Sequence, residues 1–341
     1  MFKLLILTFC LFFSFTSAGL TDNLNLDLVK KLVDKINKNA AGIWTAQVNK
    51  LSLLPLEQQK MRCGAKIPEK ENNKTEAAAA AEPPPPKFDT KPGCPCTSKI
   101  DFDARTKWPG CSPIIGHIQD QGQCGSCWAV STASAYTDRY CISRAKRGQN
   151  TNGNDASFHF SSLDVLSCSI NYDGCRGGWP FGAWQWIQSK GICSGTDYNK
   201  KSGCKPYPFP PTLRDPHGPA CSASCSVNWK TPYPNDKHMG TSSGKLAGNT
   251  ATVASIQREI QTNGPVVAVF NRTQNAVPVG LHAIRIIGWG THTCFNQKVD
   301  FWLCANSWNT GWGEGGYFKI RRGANECGIE KTEISFGMPK I

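Results

Sequence analysis

The sequence predicts an α+β protein with two lobes, because its helical and strand-like segments fall in different parts of the chain. Residues 127–144 lack glycine and proline and predict the one long helix, and residues 181–189 predict a shorter one. Residues 252–262 predict a further helix, which the Asn-Gly-Pro sequence at 263–265 would end. A helix-rich first half and a strand-rich second half favour α+β. Runs typical of strands lie at 266–270, 282–289, 301–306 and 316–321.

The amino-terminal residues 1–18 have the pattern of a signal peptide. Lys3 precedes an apolar run at residues 4–13, and the small residues at 16–18 would precede the cleavage point. The alternative, a membrane anchor, needs about 20 apolar residues and is disfavoured by this shorter run. No later segment is apolar enough to span a bilayer. We therefore expect entry into the secretory pathway, with the lysosome or the extracellular space as destination and no membrane partner.

Residues 19–98 are expected to form a propeptide and a processing linker. Apolar residues recur at helical spacing between residues 24 and 36, which predicts an amphipathic helix that covers a partner surface. The charged, alanine-rich and proline-rich tract at 69–86 cannot bury much surface and predicts an exposed linker, where processing proteases cut. The alternative is a flexible spacer between two permanent domains. Residues 99–341 would form the main folded domain.

Composition indicates a secreted chain and gives no sign of a nucleic-acid partner. Seventeen cysteines suit an oxidising compartment, where disulfides persist. The formal net charge is +13, but lysine and arginine are scattered, and we find neither a basic helix face nor a nucleic-acid-binding module. We interpret the charge as an aid to solubility in an acidic compartment.

The segment from Gln121 to Trp128, with the sequence QGQCGSCW, carries the most specific chemistry in the chain. Cys127 stands at the start of the predicted long helix, whose amino-terminus favours a negative charge and so lowers the pKa of a thiol. Because a thiolate attacks carbonyl carbons, Cys127 is a candidate nucleophile. Gly122 and Gly125 let the backbone come close to a substrate. The side chain of Gln121 and the backbone N–H of Cys127 could then form an oxyanion hole.

Cys124 and Cys127 also form a C-x-x-C pair, which in other settings indicates a redox couple, half of a zinc site or a structural disulfide. No βαβ pattern surrounds this pair, and no second C-x-x-C or H-x-x-x-H supplies further ligands. We therefore expect no metal and no cofactor.

His282 is the candidate base among the six histidines. It lies on a predicted strand that enters the core, where a lone histidine is usually a satisfied core residue. Asn306 distinguishes it, because a side-chain amide can hold the imidazole in one tautomer. Trp308 would shield that hydrogen bond from water and is counted among the substrate-binding residues.

These motifs resemble those of the papain family of cysteine proteases, and more closely its cathepsin B branch. Cysteine, histidine and asparagine occur in the papain order, and the similarity runs from Asp101 to Pro339. Residues 21–66, including Trp44 and the Cys-Gly pair at 63–64, are similar to the short propeptide of that branch. The resemblance implies a papain-like fold with a helical left lobe, a β-barrel-like right lobe and an inhibitory propeptide. It also implies a peptidase acting on peptides and proteins, which we expect to be a monomer.

The resemblance assigns roles to single residues. Cys127 would be the nucleophile, His282 the general acid and base, and Asn306 its orienting partner, with Gln121 as oxyanion donor. Two groups of residues would bind substrate: the backbone of Gly177 and Gly178 would hold an extended peptide, and Trp179, Pro180, Val269 and Ala283 would line the pocket for the second residue before the cut. The implied disulfides are Cys111–Cys141, Cys124–Cys175, Cys168–Cys221 and Cys204–Cys225.

The chain departs from the cathepsin B pattern at the loop that covers the cleft in that branch. Only sixteen residues separate Cys204 from Cys221, and Thr212 stands where a loop cysteine is expected. His217 stands alone, whereas the branch has adjacent histidines that bind the terminal carboxylate of a substrate. We therefore expect endopeptidase cleavage rather than carboxydipeptidase activity.

A second departure concerns the support of His282. Only sixteen residues join Pro265 to His282, fewer than the family uses, and the strand pair expected there is missing. This shortening could weaken the support of His282 and motivates a rival function, a catalytically weak or inactive paralogue that binds peptides or inhibitors as a decoy. The intact set of four candidate catalytic residues argues against the rival.

Two details stay open on the sequence. Glu333 is one residue out of step with the acidic residue expected at the base of the specificity pocket. Partners are not assigned for Cys193, Cys294, Cys304 and Cys327, although a Cys294–Cys304 bridge is one option.

Overall fold

The structure is a computed structural model of the chain. The expected signal peptide lies outside the residues that it describes, and so does the linker tract from residue 70 onward. The described residues are 26–27, 29–31, 33–34, 48–49, 51–69, 97–153, 155–169, 174–213, 217–274, 277–294 and 297–341.

The chain divides into two compact units, which we describe separately. The smaller unit comprises Met1–Gln59, Pro86–Thr97 and Thr293–Gln297. The larger unit comprises Lys60–Pro85, Ser98–His292 and Lys298–Ile341, and it holds every residue of the candidate site.

In the smaller unit, the described residues between 26 and 34 are helical, within the segment predicted to form an amphipathic helix. The Asn49 side chain accepts hydrogen bonds from the backbone N–H groups of Leu51 and Ser52 at 2.9 and 3.0 Å, which makes a local turn. Helix α1 (Leu56–Lys60) follows this turn, and its last residue is the first of the larger unit.

The helices of the larger unit confirm the three that the sequence predicted. Helix α7 begins after Thr252, whose side chain accepts a hydrogen bond from Ser255 N at 3.1 Å, and it ends at Gly264, whose φ is 104°. Within the part of the chain that the structure describes, no helix has both the length and the apolar character needed to cross a bilayer. The bounds are α2 (Ala104–Lys107), α3 (Ser112–Ile115), α4 (Cys127–Ala145), α5 (Ser162–Cys168), α6 (Pro180–Lys190) and α7 (Val253–Asn263).

The described strands form one sheet in the order β2-β7-β3-β4-β5-β6, with β1 beside β4. Neighbours β2 and β7, β7 and β3, β3 and β4, and β5 and β6 are antiparallel. The sequence predicted β3 to β6 but not β1, β2 or β7; strand β2 is rich in glycine and serine and carries little apolar pattern. The bounds are β1 (Thr97–Asp103), β2 (Gly240–Leu246), β3 (Val266–Gln274), β4 (Val277–Cys294), β5 (Gln297–Ala305), β6 (Tyr317–Arg321) and β7 (Glu333–Pro339).

Helix α4 is buried on almost every side, since 15 of its 19 residues are buried. Its large side chains Trp128 and Tyr136 pack in one cluster with Trp184 of α6 and with Val267 and Val269 of β3. Val266 and Ala268, the alternate residues of β3, pack in a second cluster with α7. Because β3 is buried on both faces, it reads as a continuous apolar run rather than as an alternating one.

Two charged residues near the carboxyl end of α4 have partners on other elements. Asp138 accepts a hydrogen bond from Nη1 of Arg285 on β4 at 2.5 Å. Arg139 donates to the carbonyl oxygen of Pro265 at 2.7 Å and pairs with Glu259 on α7 at 2.9 Å. An unpaired charge would be costly at these buried positions, so these pairs fix α4 against the sheet and against α7.

The short segment before His282 forms a direct hairpin in place of the expected strand pair. Strands β3 and β4 pair from Val266↔Ile286 through Phe270↔His282 to Gln274↔Val277. The register shifts only beyond His282, between residues 272 and 273, and residues 275–276 lie outside the described part. The shortening therefore leaves His282 on a strand that is paired with β3 over its whole inner part.

Replacing Asp138 by alanine should lower the free energy of unfolding by about 3–5 kcal/mol, because the Arg285 guanidinium would stay buried without its carboxylate. The matched control is Glu314→Ala, which removes the largely exposed partner of Lys319 and should cost less than about 1 kcal/mol. Urea titration followed by tryptophan fluorescence measures both values. Equal losses in the two variants would contradict the importance of the buried pair.

Candidate active site

Cys127 is the first residue of α4, and a glycine turn leads to it. The disulfide Cys124–Cys175 fastens this turn, and Gly125 N donates to the carbonyl oxygen of Cys175 at 2.8 Å. A Cβ atom on Gly125 would lie 2.3 Å from that oxygen, so only glycine fits there. The turn and the disulfide together fix the sulfur of Cys127 at the amino-terminus of the helix.

The Cys127 sulfur is fully buried, and residues 62–66, which we call the cleft segment, lie against it. Burial raises the pKa of Cys127 to about 12, and Cys63 adds to this rise. Hydrogen bonds from the backbone N–H groups of Ala283 and Gly64, the latter at 3.3 Å, oppose it. The sequence predicted a pKa lowered by the helix amino-terminus. With the cleft segment in place, burial outweighs that effect and the thiol is uncharged.

The cleft segment lies extended along Gly178. Gly178 N donates to the carbonyl oxygen of Gly64 at 2.8 Å, and Lys66 N donates to the carbonyl oxygen of Gly178 at 2.8 Å, so Ala65 and Gly178 pair in parallel. A Cβ atom on Gly64 would lie 1.8 Å from the carbonyl oxygen of Gly125, so glycine is required for this approach. No sequence pattern indicated that Gly64 contacts the sulfur.

His282 and Asn306 meet as the sequence predicted, with the imidazole Nε2 2.8 Å from the amide Oδ1. The imidazole stacks on Trp308 at 4.7 Å between ring centroids, and both His282 and Asn306 are buried. Asn306 is itself fixed, because its Oδ1 also accepts a hydrogen bond from Ser307 N at 2.8 Å. An amide oxygen can only accept, so Nε2 carries the proton and Nδ1 is the basic nitrogen of the neutral ring.

Strand β4 brings His282 to the amino-terminus of α4 through the next residue, Ala283. The carbonyl oxygen of Ala283 accepts a hydrogen bond from Ser131 Oγ at 2.9 Å, and Ala283 and Cys127 pack in one buried cluster. Ser131 lies four residues after Cys127, so both contacts come from one face of the helix. His282 is therefore next to the residue of β4 that contacts this end of α4.

Gln121 is held at both ends of its side-chain amide. Its Oε1 accepts from Ser307 Oγ at 2.6 Å, and its Nε2 donates to the carbonyl oxygens of Cys124 at 2.8 Å and Arg62 at 3.0 Å. The sequence predicted that this Nε2 donates to a substrate oxyanion. In the structure it donates to the carbonyl oxygen of Arg62, in the cleft segment. Ser307 holds both Gln121 and Asn306; its place beside Asn306 in the sequence was the only signal for this role.

Three candidate pocket residues lie side by side across the sheet. Val269 on β3 pairs with Ala283 on β4 and with Glu333 on β7. Trp179, which precedes Pro180 at the start of α6, donates from Nε1 to Glu333 Oε2 at 2.5 Å. The structure therefore places Val269 and Trp179 beside Glu333, whose position the sequence left open, and Ala283 next to Val269.

Glu333 is a buried carboxyl group at this pocket, only 2% exposed. Burial raises the pKa of Glu333 to about 7, although hydrogen bonds from Trp179 Nε1 and Phe181 N, at 2.5 and 3.2 Å, oppose the rise. The group is therefore protonated in acidic solution.

The backbone strip of the cleft depends on two glycines. Gly177 has a φ of 113°, which favours glycine, and a Cβ atom there would lie 2.7 Å from the carbonyl oxygen of Gly64. A Cβ atom on Gly178 would lie 2.5 Å from the Trp128 ring. Glycine at 177 therefore leaves room for the cleft segment, and glycine at 178 lets the strip pack directly against Trp128 of α4.

A separate cavity of about 520 Å³ lies beside the cleft segment, and the exposed residue His217 is among the residues that line it. Met61, Cys63, Pro219 and Ala220 are among the residues that line it. Residues 217–220, which directly precede Cys221, thus border this cavity, and His217 is the one histidine among them.

The structure contains the four disulfides that the resemblance implied. Cys193 and Cys304 are buried thiols, so the optional Cys294–Cys304 bridge is not formed. Among the described residues, Cys193, Cys204 and Asp236 offer ligand atoms within 4.8 Å of one another, but the Cys204 sulfur is bonded to Cys225. The disulfides are Cys111–Cys141, Cys124–Cys175, Cys168–Cys221 and Cys204–Cys225.

Known proteins are similar to this chain in sequence and in fold. Residues 99–336 match the family described as "Papain family cysteine protease". The chain is 39% identical over 273 residues to "Cathepsin B-like cysteine proteinase 4" of Caenorhabditis elegans, covering 72% of this chain and 76% of that protein. It is 39% identical over 260 residues to the "Cathepsin B-like cysteine proteinase" of Schistosoma japonicum, covering 69% and 71%.

Among solved structures, "proCathepsin B S9 from Trypanosoma congolense" is similar, with a TM-score of 0.68 and 32% identity. The similarity covers 92% of this chain and 98% of that chain. It confirms the predicted papain-like α+β fold.

The pKa of Glu333 gives the stability of the fold a pH dependence. Because this pKa is about 7 in the folded chain against an ordinary 4.5, the stability from Glu333 is present below about pH 4.5 and is lost as the pH rises through 7. The melting temperature of the wild type should therefore fall more between pH 4.5 and 7.5 than that of Glu333→Gln, which cannot ionise. Scanning fluorimetry in steps of pH measures this difference. The exposed control Glu314→Gln should follow the wild type, and parallel curves for wild type and Glu333→Gln would rule the explanation out.

Proposed function

Because this chain belongs to the papain family of cysteine proteases, we propose that it is a cathepsin B-like endopeptidase made as an inactive precursor. In this proposal residues 1–18 are the signal peptide, residues 19–98 are the propeptide and processing linker, and residues 99–341 are the peptidase. The enzyme acts as a monomer in the secretory route, in the lysosome or outside the cell. The four disulfides suit that oxidising route.

The contact between β4 and the start of α4 is the observation that carries the proposal. Ser131, one turn after Cys127, donates to the carbonyl oxygen of Ala283 at 2.9 Å, and His282 beside Ala283 is bound to Asn306 at 2.8 Å. A candidate nucleophile on α4, a candidate base on β4 and an orienting amide directly after β5 are thus joined by contacts between distant parts of the chain. A peptidase needs all three together.

The reaction follows from these positions. His282 takes the proton of Cys127, and the thiolate attacks the peptide carbonyl carbon while the Gln121 side chain and the Cys127 N–H stabilise the oxyanion. His282 then gives its proton to the leaving amine, and the acyl group stays on the sulfur. Water activated by His282 hydrolyses the acyl-enzyme. Asn306 keeps the ring oriented, and Trp308 excludes water from their hydrogen bond.

The cleft segment supports the inactive precursor. Gly64 N donates a hydrogen bond to the Cys127 sulfur, and the carbonyl oxygen of Arg62 accepts one from Gln121 Nε2. The backbone of Gly178 pairs with the same segment. A substrate would need these same groups. The thiol is also uncharged at a pKa of about 12, so the precursor lacks both an open cleft and a nucleophile.

Endopeptidase cleavage is favoured by the border of the cleft. His217 is exposed there and is the one histidine between Cys204 and Cys221 in the sequence. A pair of histidines that could hold a terminal carboxylate is therefore absent from the sequence of this loop, and an internal peptide bond needs no such group.

Val269, Ala283 and Trp179, which we propose line the pocket for the second residue before the cut, would favour an apolar side chain there. Glu333 is turned toward Trp179 and Phe181 and is protonated in acidic solution, so it offers little charge to a basic side chain.

Asn306→Ala in the processed enzyme should lower kcat/KM for a peptide substrate by about 10–100-fold, because His282 loses the partner that orients its ring. The control Asn228→Ala changes an exposed amide and should leave kcat/KM within about twofold. A fluorogenic peptide assay measures both variants. Equal activity of Asn306→Ala and wild type would remove Asn306 from the mechanism.

An epoxide thiol probe separates the peptidase from the decoy alternative. The processed chain should be labelled at Cys127, the full precursor should be labelled far more slowly because its thiol is buried, and Cys127→Ala should not be labelled there. Mass spectrometry of the labelled peptide gives the rates. A processed chain that neither reacts at Cys127 nor hydrolyses peptides would favour the decoy.

A further inference from the structure

A charged contact lies in the cleft one residue before Gln121. Nη1 of Arg62, in the cleft segment, is 3.7 Å from Oδ1 of Asp120. The two side chains are only 4% and 8% exposed. Because solvent screens a buried pair less than a surface pair, this attraction is stronger than that of an ordinary surface ion pair.

Asp120 is held in a fixed orientation by the wall of the cleft. Its Oδ1 accepts from Gly122 N at 2.8 Å, and its Oδ2 accepts from Asn309 Nδ2 at 2.7 Å. Its backbone also pairs with that of Trp308. These neutral donors orient the carboxylate without cancelling its charge, so a cation is the natural complement once Arg62 leaves.

Tyr207 lies close enough to Asp120 and Arg62 to be affected by both charges. Its hydroxyl donates to the carbonyl oxygen of Gln121 at 2.8 Å. Burial raises the pKa of Tyr207, Asp120 adds to the rise and Arg62 opposes it. The acid and the guanidinium thus both lie near the residue that carries the proposed oxyanion donor.

The path of the cleft segment indicates which side of a substrate Asp120 would face. Gly64 and Lys66 bond to Gly178, the strip that we propose holds the acyl side of a substrate. Arg62 lies on the other side of the sulfur contact made by Gly64, with its carbonyl on Gln121. That is the side of the leaving group.

We propose that Asp120 is a specificity-determining residue that selects a basic side chain, arginine or lysine, one or two residues past the cleaved bond. The inference rests on the proposed peptidase function and adds a substrate class to it. In the precursor Arg62 occupies the site, and after processing a basic residue of the substrate takes its place. An apolar residue would leave the carboxylate without a counterion, and an acidic residue would be repelled.

Internally quenched peptides that differ only at the first or second residue past the cut test this directly. For the processed enzyme, kcat/KM should be about 10-fold higher with arginine or lysine than with methionine at one of these positions, and lowest with glutamate. In Asp120→Asn the ratio of arginine to methionine should fall to about 1–2. In the control Glu314→Gln, which removes an exposed carboxylate, the ratio should stay at the wild-type value.

The outcomes separate the two proposals. Hydrolysis of all peptides with no preference for a basic residue, or the same preference in Asp120→Asn, would overturn the role of Asp120 and leave the peptidase intact. Hydrolysis of none of the peptides would overturn the peptidase and the specificity with it.

A second experiment needs no peptide hydrolysis, because it measures the labelling of Cys127 in the full precursor. Arg62→Met and Asp120→Asn should each speed the labelling of Cys127 by a thiol probe by about 10-fold, because either change loosens the cleft segment. The double variant should be no faster than either single variant, since both remove one and the same contact. Fully additive effects, or no effect of either change, would show that Asp120 does not bind a basic side chain.

Discussion

The buried contact between helix α4 and strand β4 is the constraint on which the candidate site depends. One element carries Cys127 and the other carries His282, and they are far apart in sequence. Asp138 and Arg285 pair at 2.5 Å inside the core, and Ser131 bonds the carbonyl of Ala283 at 2.9 Å. These contacts prevent β4 from rotating or sliding along α4. A shift along either element would separate the sulfur from the imidazole, whatever the local geometry of each.

Two opposed effects act on the sulfur of Cys127, and the cleft segment decides which is larger. The helix amino-terminus and the N–H groups of Ala283 and Gly64 favour a thiolate, whereas burial favours the neutral thiol. With residues 62–66 in place burial prevails, and the pKa is about 12. We expect removal of the segment to restore water to the sulfur and to leave the helix in place. On this account, activation changes the solvent around a site that is already assembled.

Much of the fold could be predicted from sequence because local rules act strongly there. Helix α7 has a capping residue at one end and Gly-Pro at the other, and β3 is one apolar run, so both were predictable. Strand β2 was missed because its glycines and serines carry no period; it gains its order from pairing with β7. The residues of the site could be named from their motifs. Their couplings could not, because the contacts of Gly64, Ser307 and Glu333 join segments that are distant in sequence.

The most direct test of the account is the pH dependence of Cys127 alkylation in the processed chain. If β4 holds His282 beside the sulfur, the rate of reaction with iodoacetamide should rise at a pH well below the ordinary cysteine pKa of about 8.5. In His282→Ala the rise should move to 8.5 or higher. A wild-type profile that matches that of His282→Ala would mean that the two residues do not act together, and the account would be wrong.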